Sequence, residues 1–390
     1  MSFFSRTDRS FLAQWWWTVD RPLLGTFLVL ALIGVMMVTT ASPSIAEHHD
    51  LNSFHFLIRH IIILVPALCM MIVVSMLNQK ILWRVATVVY GLSILAMIFV
   101  LFFGMEIKGA QRWIHVFGFS LQPSEFCKPA FAIISARFMA MQKEKEGFPG
   151  YIITAGFYVL TVGLLILQPD LGMTCVVTAI WVVQIFLAGF PFRILFALGI
   201  LGVGGMVTAY FTLDHVESRI NRFFNPESGD NYQVEKSIEA IQSGGLIGVG
   251  PGQGTVKLDL PDAHADFIFS VGAEEMGLIF ILCLVALYGF VLVRGFNKLM
   301  DSNNMFYVLA VGGLLTMFGL QAMIHMGSAL NILPTKGMTL PFISYGGSSL
   351  LSISFAMGVC LSLLKKQGRM SIAKAGLTPR ARPRDKQDLK

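Results

Sequence analysis

The chain has 390 residues, of which 55% are hydrophobic and only 13% charged. A soluble domain carries roughly 25% charged residues, so composition excludes a water-soluble enzyme. The formal net charge of +6 is concentrated in the C-terminal tail and does not mark a nucleic-acid surface.

Residues 1–21 form a polar N-terminal extension with Arg6, Arg9, Arg21 and the run Trp15, Trp16, Trp17. Consecutive tryptophans suit the membrane–water interface just before a first crossing. That crossing is predicted at about 22–40. A cleaved signal peptide is the alternative, since Ser44-Ile45-Ala46 resembles a cleavage site. The apolar core exceeds the roughly 7 to 15 residues of a signal peptide, which favours a retained helix.

Further spans are predicted at about 58–77, 84–104, 126–141, 151–167, 171–188, 192–212, 267–292, 304–330 and 341–364. Their lengths, from 16 to 27 residues, bracket the roughly 20 that cross a bilayer. Ten crossings place both termini on one side, and the excess of Lys and Arg in the loops of that side makes it cytoplasmic. The expected architecture is therefore an all-α polytopic membrane protein with about ten transmembrane helices. It comprises a cytoplasmic extension (1–21), a transmembrane domain (22–364) and a basic cytoplasmic tail (365–390), with a large extracytoplasmic loop (213–266) between helices 7 and 8. The tail holds nine Lys or Arg directly after an apolar segment, so it reads as an anchor near anionic lipid headgroups, not a nucleic-acid site. Cys69, Cys127, Cys175, Cys283 and Cys360 lie in or beside apolar runs without a CxxC pair and read as small buried hydrophobes.

The 213–266 loop carries nine acidic and four basic residues. Its run GGLIGVGPGQG at 244–254 is no phosphate-binding P-loop, because no Gly-Lys-Ser/Thr follows. SIEAIQS before it is expected to form a short amphipathic helix ending at Gly244 and Gly245, followed by an Ω-like or re-entrant segment at the membrane surface.

Ionisable residues inside or at the edge of spans are functional candidates by default. Arg59 opens the second span and fits interfacial snorkelling equally well. Glu125 and Lys128, three residues apart on one helical face, are either an internal ion pair or part of a site. Asp170 follows Gln168-Pro169 and suits a helix cap. Asp266 ends the long loop; with His264, Glu274 and Glu275 it forms either caps and loop contacts or an acid–base or cation-binding site. From His325 to Ser349 the chain reads HMGSALNILPTKGMTLPFISYGGSS, whose prolines and glycines break helix. Irregular backbone at membrane depth is tolerated only against protein or a wet cavity. Lys336 supplies a cation there, and Ser344, Ser348 and Ser349 supply hydroxyls. No HExxH or GxSxG occurs.

Taken together, GAQRWI (109–114), LQPSEFCK (121–128), QPDLG (168–172), GGLIGVGPGQG (244–254), LPDAHADFIFSVGAEEMG (260–277) and NILPTKGMTLPFISYGGSS (331–349) resemble the SEDS family (shape, elongation, division and sporulation), most of all its cell-division branch. The resemblance spans nearly everything from the first to the tenth predicted crossing. It implies a peptidoglycan glycosyltransferase that polymerises lipid II at the outer face of the plasma membrane during septal division and releases polyprenyl pyrophosphate. It also implies a class B penicillin-binding protein as transpeptidase partner, and small bitopic regulators of division.

The family's catalytic aspartate matches Asp266. Ala265 stands where the family often has Thr or Ser, and Met173 where Thr or Ser often follows QPDLG. On this resemblance Arg112, Lys128 and Lys336 are candidates for the donor phosphates and Glu125 for orienting Lys128, with His264 and Ser344 near the substrate. Asp170, Glu274 and Glu275 are candidates for loop order or a divalent cation, Mg or Mn; no organic cofactor is expected. A lipid II flippase, a rod-elongation polymerase and a non-catalytic scaffold are the competing readings.

Overall fold

The computed structural model describes residues 10–48, 50–107, 110–116, 118–212, 216–218, 220–221, 232–300, 302–334 and 337–365. Ser10 opens α1 (Phe11–Thr18) by accepting from the Ala13 N–H at 3.3 Å, a hydroxyl cap for an otherwise unpaired donor. Then come α2 (Arg21–His48), α3 (His55–Met76) and α4 (Gln79–Phe103). A small antiparallel sheet follows, ordered β1 (Met105–Ile107), β2 (Ala110–Val116) and β3 (Phe119–Leu121). These strands are absent from the all-α expectation; the segment between two apolar runs is too polar to enter lipid and closes its backbone hydrogen bonds as a meander instead.

The chain continues with α5 (Pro123–Glu144), α6 (Gly150–Leu167), α7 (Leu171–Leu187) and α8 (Phe192–Thr212). After it come α9 (Tyr232–Gly244), a single 3₁₀ turn (Val256–Leu258), α10 (Ile268–Met300), α11 (Met305–Ala329) and α12 (Gly347–Leu363).

Seven helices among the described residues are long and apolar enough to cross a membrane, namely α2, α3, α4, α6, α8, α10 and α11. This corrects the expectation of about ten. At 17 residues each, α7 and α12 fall short of the roughly 20 that span hydrocarbon. In α5, Glu125, Lys128, Arg137, Lys143 and Glu144 interrupt the apolar run. That helix lies inside the bundle, buried almost continuously from Pro123 to Ala136, where charges meet protein and not lipid. At the other extreme, α8 buries no residue, and its apolar side chains face outward all round, as a lipid-contacting helix requires. The molecule is a multi-pass membrane protein.

Asp20, Leu77, Lys298 and Leu364 gather at one end of the bundle. Lys298 pairs with Asp20 and donates to the Leu364 carbonyl at 3.4 Å, and Ser362 donates to the Leu77 carbonyl at 2.5 Å. The described ends of the chain therefore sit together, at the end opposite the β-sheet and the Asp266 turn.

One helix is broken at depth. At Gly277, φ is 76° and ψ −178°, a conformation open in practice only to glycine. The break frees backbone groups of α10, and the glycine run pairs with them. The Val249 and Gly250 N–H groups donate to the Glu274 and Glu275 carbonyls at 3.0 Å each, and Leu278 and Ile279 N–H donate to the Gly245 and Leu246 carbonyls at 3.0 and 3.2 Å. Unpaired polar backbone in an apolar surrounding costs several kcal/mol per group, so the loop and the kink stabilise each other.

Candidate functional site

Asp266 lies on the turn that leads into α10, half-buried, with its N–H donating to the Asp262 carbonyl at 3.0 Å. Its carboxylate faces residue 337, where an added Cβ would stand 3.3 Å from Oδ2. The two polar blocks of the sequence, 260–277 and 331–349, thus meet at this carboxylate.

Residues 337–346 form a non-helical strap tied from several sides. Ser344 Oγ donates to the Ala265 carbonyl at 2.8 Å and accepts from the Leu340 N–H at 2.8 Å. The Tyr345 N–H donates to the His264 carbonyl at 3.0 Å. Tyr288 of α10 donates to the Pro341 carbonyl at 2.6 Å, His325 Nδ1 of α11 to the Met338 carbonyl at 2.7 Å, and Thr339 to Ser349 Oγ at 2.5 Å. Proline and glycine remove the helical pairing of this segment, and side chains of three helices replace it. Phe342 takes a left-handed φ of 65°, which costs a bulky residue about 1–3 kcal/mol. Its ring packs 5.5 Å from Phe27 and 6.5 Å from Phe318, and this burial holds the conformation.

His264 is buried, its ring 4.5 Å from Phe56 and 4.9 Å from Tyr345. Ser344 therefore braces the backbone of the Asp266 turn, and His264 belongs to an aromatic wall beside it. Lys336 lies outside the described residues.

Glu125 and Lys128 pair at 2.9 Å, with the lysine side chain fully buried. A lone ammonium there would be strongly unfavourable. Ser352 of α12 donates to the Glu125 carbonyl at 2.6 Å, joining α5 to the strap's own helix. Arg112 on β2 donates from Nε to the Gln168 carbonyl at 2.7 Å and from Nη2 to the Pro169 carbonyl at 2.5 Å, and its Nη1 is 3.6 Å from Asp170. Asp170 caps α7 by accepting from the Met173 N–H at 3.2 Å and also accepts from Gln122 Nε2 at 3.4 Å. Arg112 and Asp170 thus meet each other and clamp the sheet onto the 168–170 turn.

Glu274 and Glu275 point into the glycine-rich loop. Glu274 accepts from the Val256 and Lys257 N–H groups at 2.8 and 3.0 Å. Glu275 pairs with Lys257, whose ammonium also donates to the Thr40 carbonyl of α2 at 2.9 Å. No group of three or more His, Cys, Asp or Glu able to hold a metal occurs among the described residues. Both oxygens of Glu274 accept from loop N–H groups and one oxygen of Glu275 pairs with Lys257, so both side chains order the glycine-rich loop.

Sequence reasoning overlooked Lys257, Phe56, Tyr345 and Gln122. A single lysine in a polar loop and aromatics in apolar runs carry no spacing signal of their own. The Ser348 hydroxyl accepts from the Gln122 N–H at 2.9 Å and donates to the Ser120 carbonyl at 3.1 Å.

Residues 21–368 match the family of cell cycle proteins that groups FtsW, RodA and SpoVE. A probable peptidoglycan glycosyltransferase FtsW of Caulobacter vibrioides is 42% identical over 365 residues, covering 93% of this chain and 94% of that protein. The probable peptidoglycan glycosyltransferase FtsW of Coxiella burnetii is 35% identical, covering 89% and 96%. Among solved structures, a chain of a peptidoglycan synthase complex, solved to show the structural coordination of polymerization and crosslinking, superposes with a TM-score of 0.73 at 28% identity, covering 89% of this chain and 97% of that one. The rod shape determining protein RodA of Thermus thermophilus gives a TM-score of 0.67 at 28% identity, covering 90% and 97%. With nearly all of its transmembrane body matched in sequence and in fold, the chain belongs to the FtsW/RodA/SpoVE family, the SEDS proteins.

Proposed function

We propose that this chain is a peptidoglycan glycosyltransferase that polymerises lipid II into glycan strands at the outer face of the bacterial inner membrane, at the division septum. The observation that carries the reading is the convergence of the 260–277 and 331–349 blocks on Asp266. Similarity to FtsW proteins over nearly the whole chain supports the division role over rod elongation. In this proposal the described chain ends that meet at one end of the bundle face the cytoplasm. Both termini are then cytoplasmic, and the Asp266 end faces outward with the 213–266 loop.

In the reaction, Asp266 takes the proton of the acceptor's 4-hydroxyl as that oxygen bonds to the donor's anomeric carbon. The bond from that carbon to the pyrophosphate oxygen breaks, and polyprenyl pyrophosphate leaves. A single base and an activated leaving group suffice for this displacement. A positioned base contributes about 10²–10⁴-fold. The strap holds the Asp266 turn in place, so little reorganisation is needed when the hydroxyl arrives.

Lys336 is our candidate for the leaving phosphates, with Lys128 and its partner Glu125 supplying a fixed field from inside the bundle. Arg112 acts through the 168–170 turn. A divalent cation, Mg or Mn, would be carried by the pyrophosphate oxygens, since Glu274 and Glu275 are engaged elsewhere. The proposed partners are a class B penicillin-binding protein and small bitopic division regulators; likeness to a chain of a synthase complex supports the first.

The test is glycan synthesis by the purified chain in liposomes, given lipid II, a divalent cation and the matching transpeptidase, with Asp266→Ala alongside. Polymer from wild type and a loss of at least about 10²-fold in a folded, partner-binding Asp266→Ala protein are expected. Equal polymer from both proteins would remove Asp266 from the mechanism. No polymer from a folded wild-type complex would favour the flippase.

A further inference from the structure

At the end of the bundle opposite Asp266, the ends of α5, α10 and α12 and the start of α11 enclose an open cavity of about 670 Å³. Small-ligand sites occupy roughly 300–1,000 Å³. Three lysines from three different elements line it: Lys143 on α5, Lys298 on α10 and Lys365 just beyond α12. Glu144 is the acidic residue of the described lining, and Arg137 already engages it at 3.2 Å. Asp301, in the adjoining loop, lies outside the described residues. Lys298 is shared with Asp20, and Lys143 donates to the Ala188 carbonyl at 2.8 Å.

Lys365 differs from both. It is half-buried and has no hydrogen-bond or ion-pair partner among the described residues. Burial lowers its pKa, as expected for an ammonium that has lost water without gaining a counter-charge. The 25-residue helix α11 starts at the cavity wall with Met305, so the partial positive charge of its N-terminus adds to that of the lysines. The described lining thus suits an anion.

We propose that this cavity binds the phosphate headgroup of an anionic phospholipid from the adjacent leaflet. Its walls are the ends of membrane helices, which lie at headgroup depth. Met300 beside it is 85% exposed, an apolar side chain at the same level as the charges. Basic pockets between helices are the usual way in which membrane proteins hold such headgroups. The site is separate from the glycan chemistry and does not depend on it. Occupancy would tie together the ends of α5, α10 and α12, two of which carry Glu125, Lys128 and the Asp266 turn at their other ends. A free phosphate ion offers the same chemistry and is distinguished by the experiment.

The full-length chain, purified in detergent and stripped of lipid, is titrated with phosphatidylglycerol or phosphatidylcholine, and bound lipids are counted by native mass spectrometry. Wild type is compared with Lys365→Gln and Lys365→Glu, and with Lys386→Glu as a tail control. Wild type and the tail control are expected to retain one phosphatidylglycerol that phosphatidylcholine does not replace. Binding should weaken about fivefold in Lys365→Gln and about 25-fold in Lys365→Glu, following about 1 kcal/mol per unit of charge near an anionic headgroup. Lys365 has no described protein partner to lose, so both variants should melt with wild type in phosphatidylcholine, separating lost lipid from lost fold. Equal retention by wild type and Lys365→Glu overturns the proposal. Displacement of the lipid by millimolar inorganic phosphate also overturns it, assigning the cavity to a free anion.

Discussion

At Gly337 an added Cβ would stand 3.3 Å from Asp266 Oδ2, inside the space that an attacking hydroxyl needs. A base must lie within about 2.6–3.2 Å of the oxygen it deprotonates. Gly337 has no left-handed φ, so alanine fits the backbone and only the access changes. Gly337→Ala is expected to leave folding intact and to slow glycan synthesis by about 10- to 100-fold, the effect of misplacing a reacting group by an ångström or less. Steady-state polymerisation beside a melting curve checks this; an unchanged rate would show that the acceptor approaches from another side. Of the residues picked from sequence, Asp266, His264 and Ser344 do gather. The partners of Ser344, the Leu340 N–H and Ala265 carbonyl, were not legible, because backbone groups leave no mark in residue type.

The loop at 245–258 is held by one fully enclosed ion pair. Lys257 reaches Glu275 and the Thr40 carbonyl, and Glu274 caps the 3₁₀ turn. Removing one partner of a buried pair costs about 3–5 kcal/mol, whereas removing both is far milder. Glu275→Gln should therefore lower the melting temperature clearly and expose 245–258 to protease, and adding Lys257→Met should restore most of the loss. A double-mutant cycle on melting curves measures this, and additive effects would show that the pair is not coupled. The two adjacent glutamates were legible as unusual in an apolar helix. Their role was not, because a carboxylate that serves a loop and one that serves a cation look alike in sequence.

Across the whole molecule, Asp20 ties the start of the first long helix to the end of α10. Arg294 Nε donates to it at 2.9 Å, Lys298 pairs with it and the Leu23 N–H donates at 3.0 Å. Burial raises the pKa of this carboxyl, and the bonds from Arg294 and Lys298 outweigh that effect, leaving it below 3.8. A carboxyl lowered on folding stabilises the folded state above its unfolded pKa and loses that contribution as pH falls through the lowered value. Asp20→Asn should thus be less stable than wild type at neutral pH, by about 1.5–3 kcal/mol for a lost charge-assisted bond. The gap should close as pH falls below 3.8. Melting curves across that range read it directly, and a gap independent of pH would assign the effect to packing.

Composition and the apolar runs by themselves determined that the chain is a multi-pass helical membrane protein, because burying apolar side chains in lipid leaves little choice of secondary structure. The motif blocks likewise marked Asp266, Glu125, Lys128 and Asp170 as residues that lipid would not tolerate without a reason. Apolarity does not distinguish a helix facing lipid from one facing protein, so sequence could not tell that α8 stands outside and the charged α5 inside. The sheet between α4 and α5, the broken turn at Gly277 and the meeting of residues 264–266 with 337–346 depend on contacts between segments far apart in the chain. Those contacts form only when packing brings freed backbone donors and acceptors within hydrogen-bonding distance, and that decision belongs to the tertiary structure.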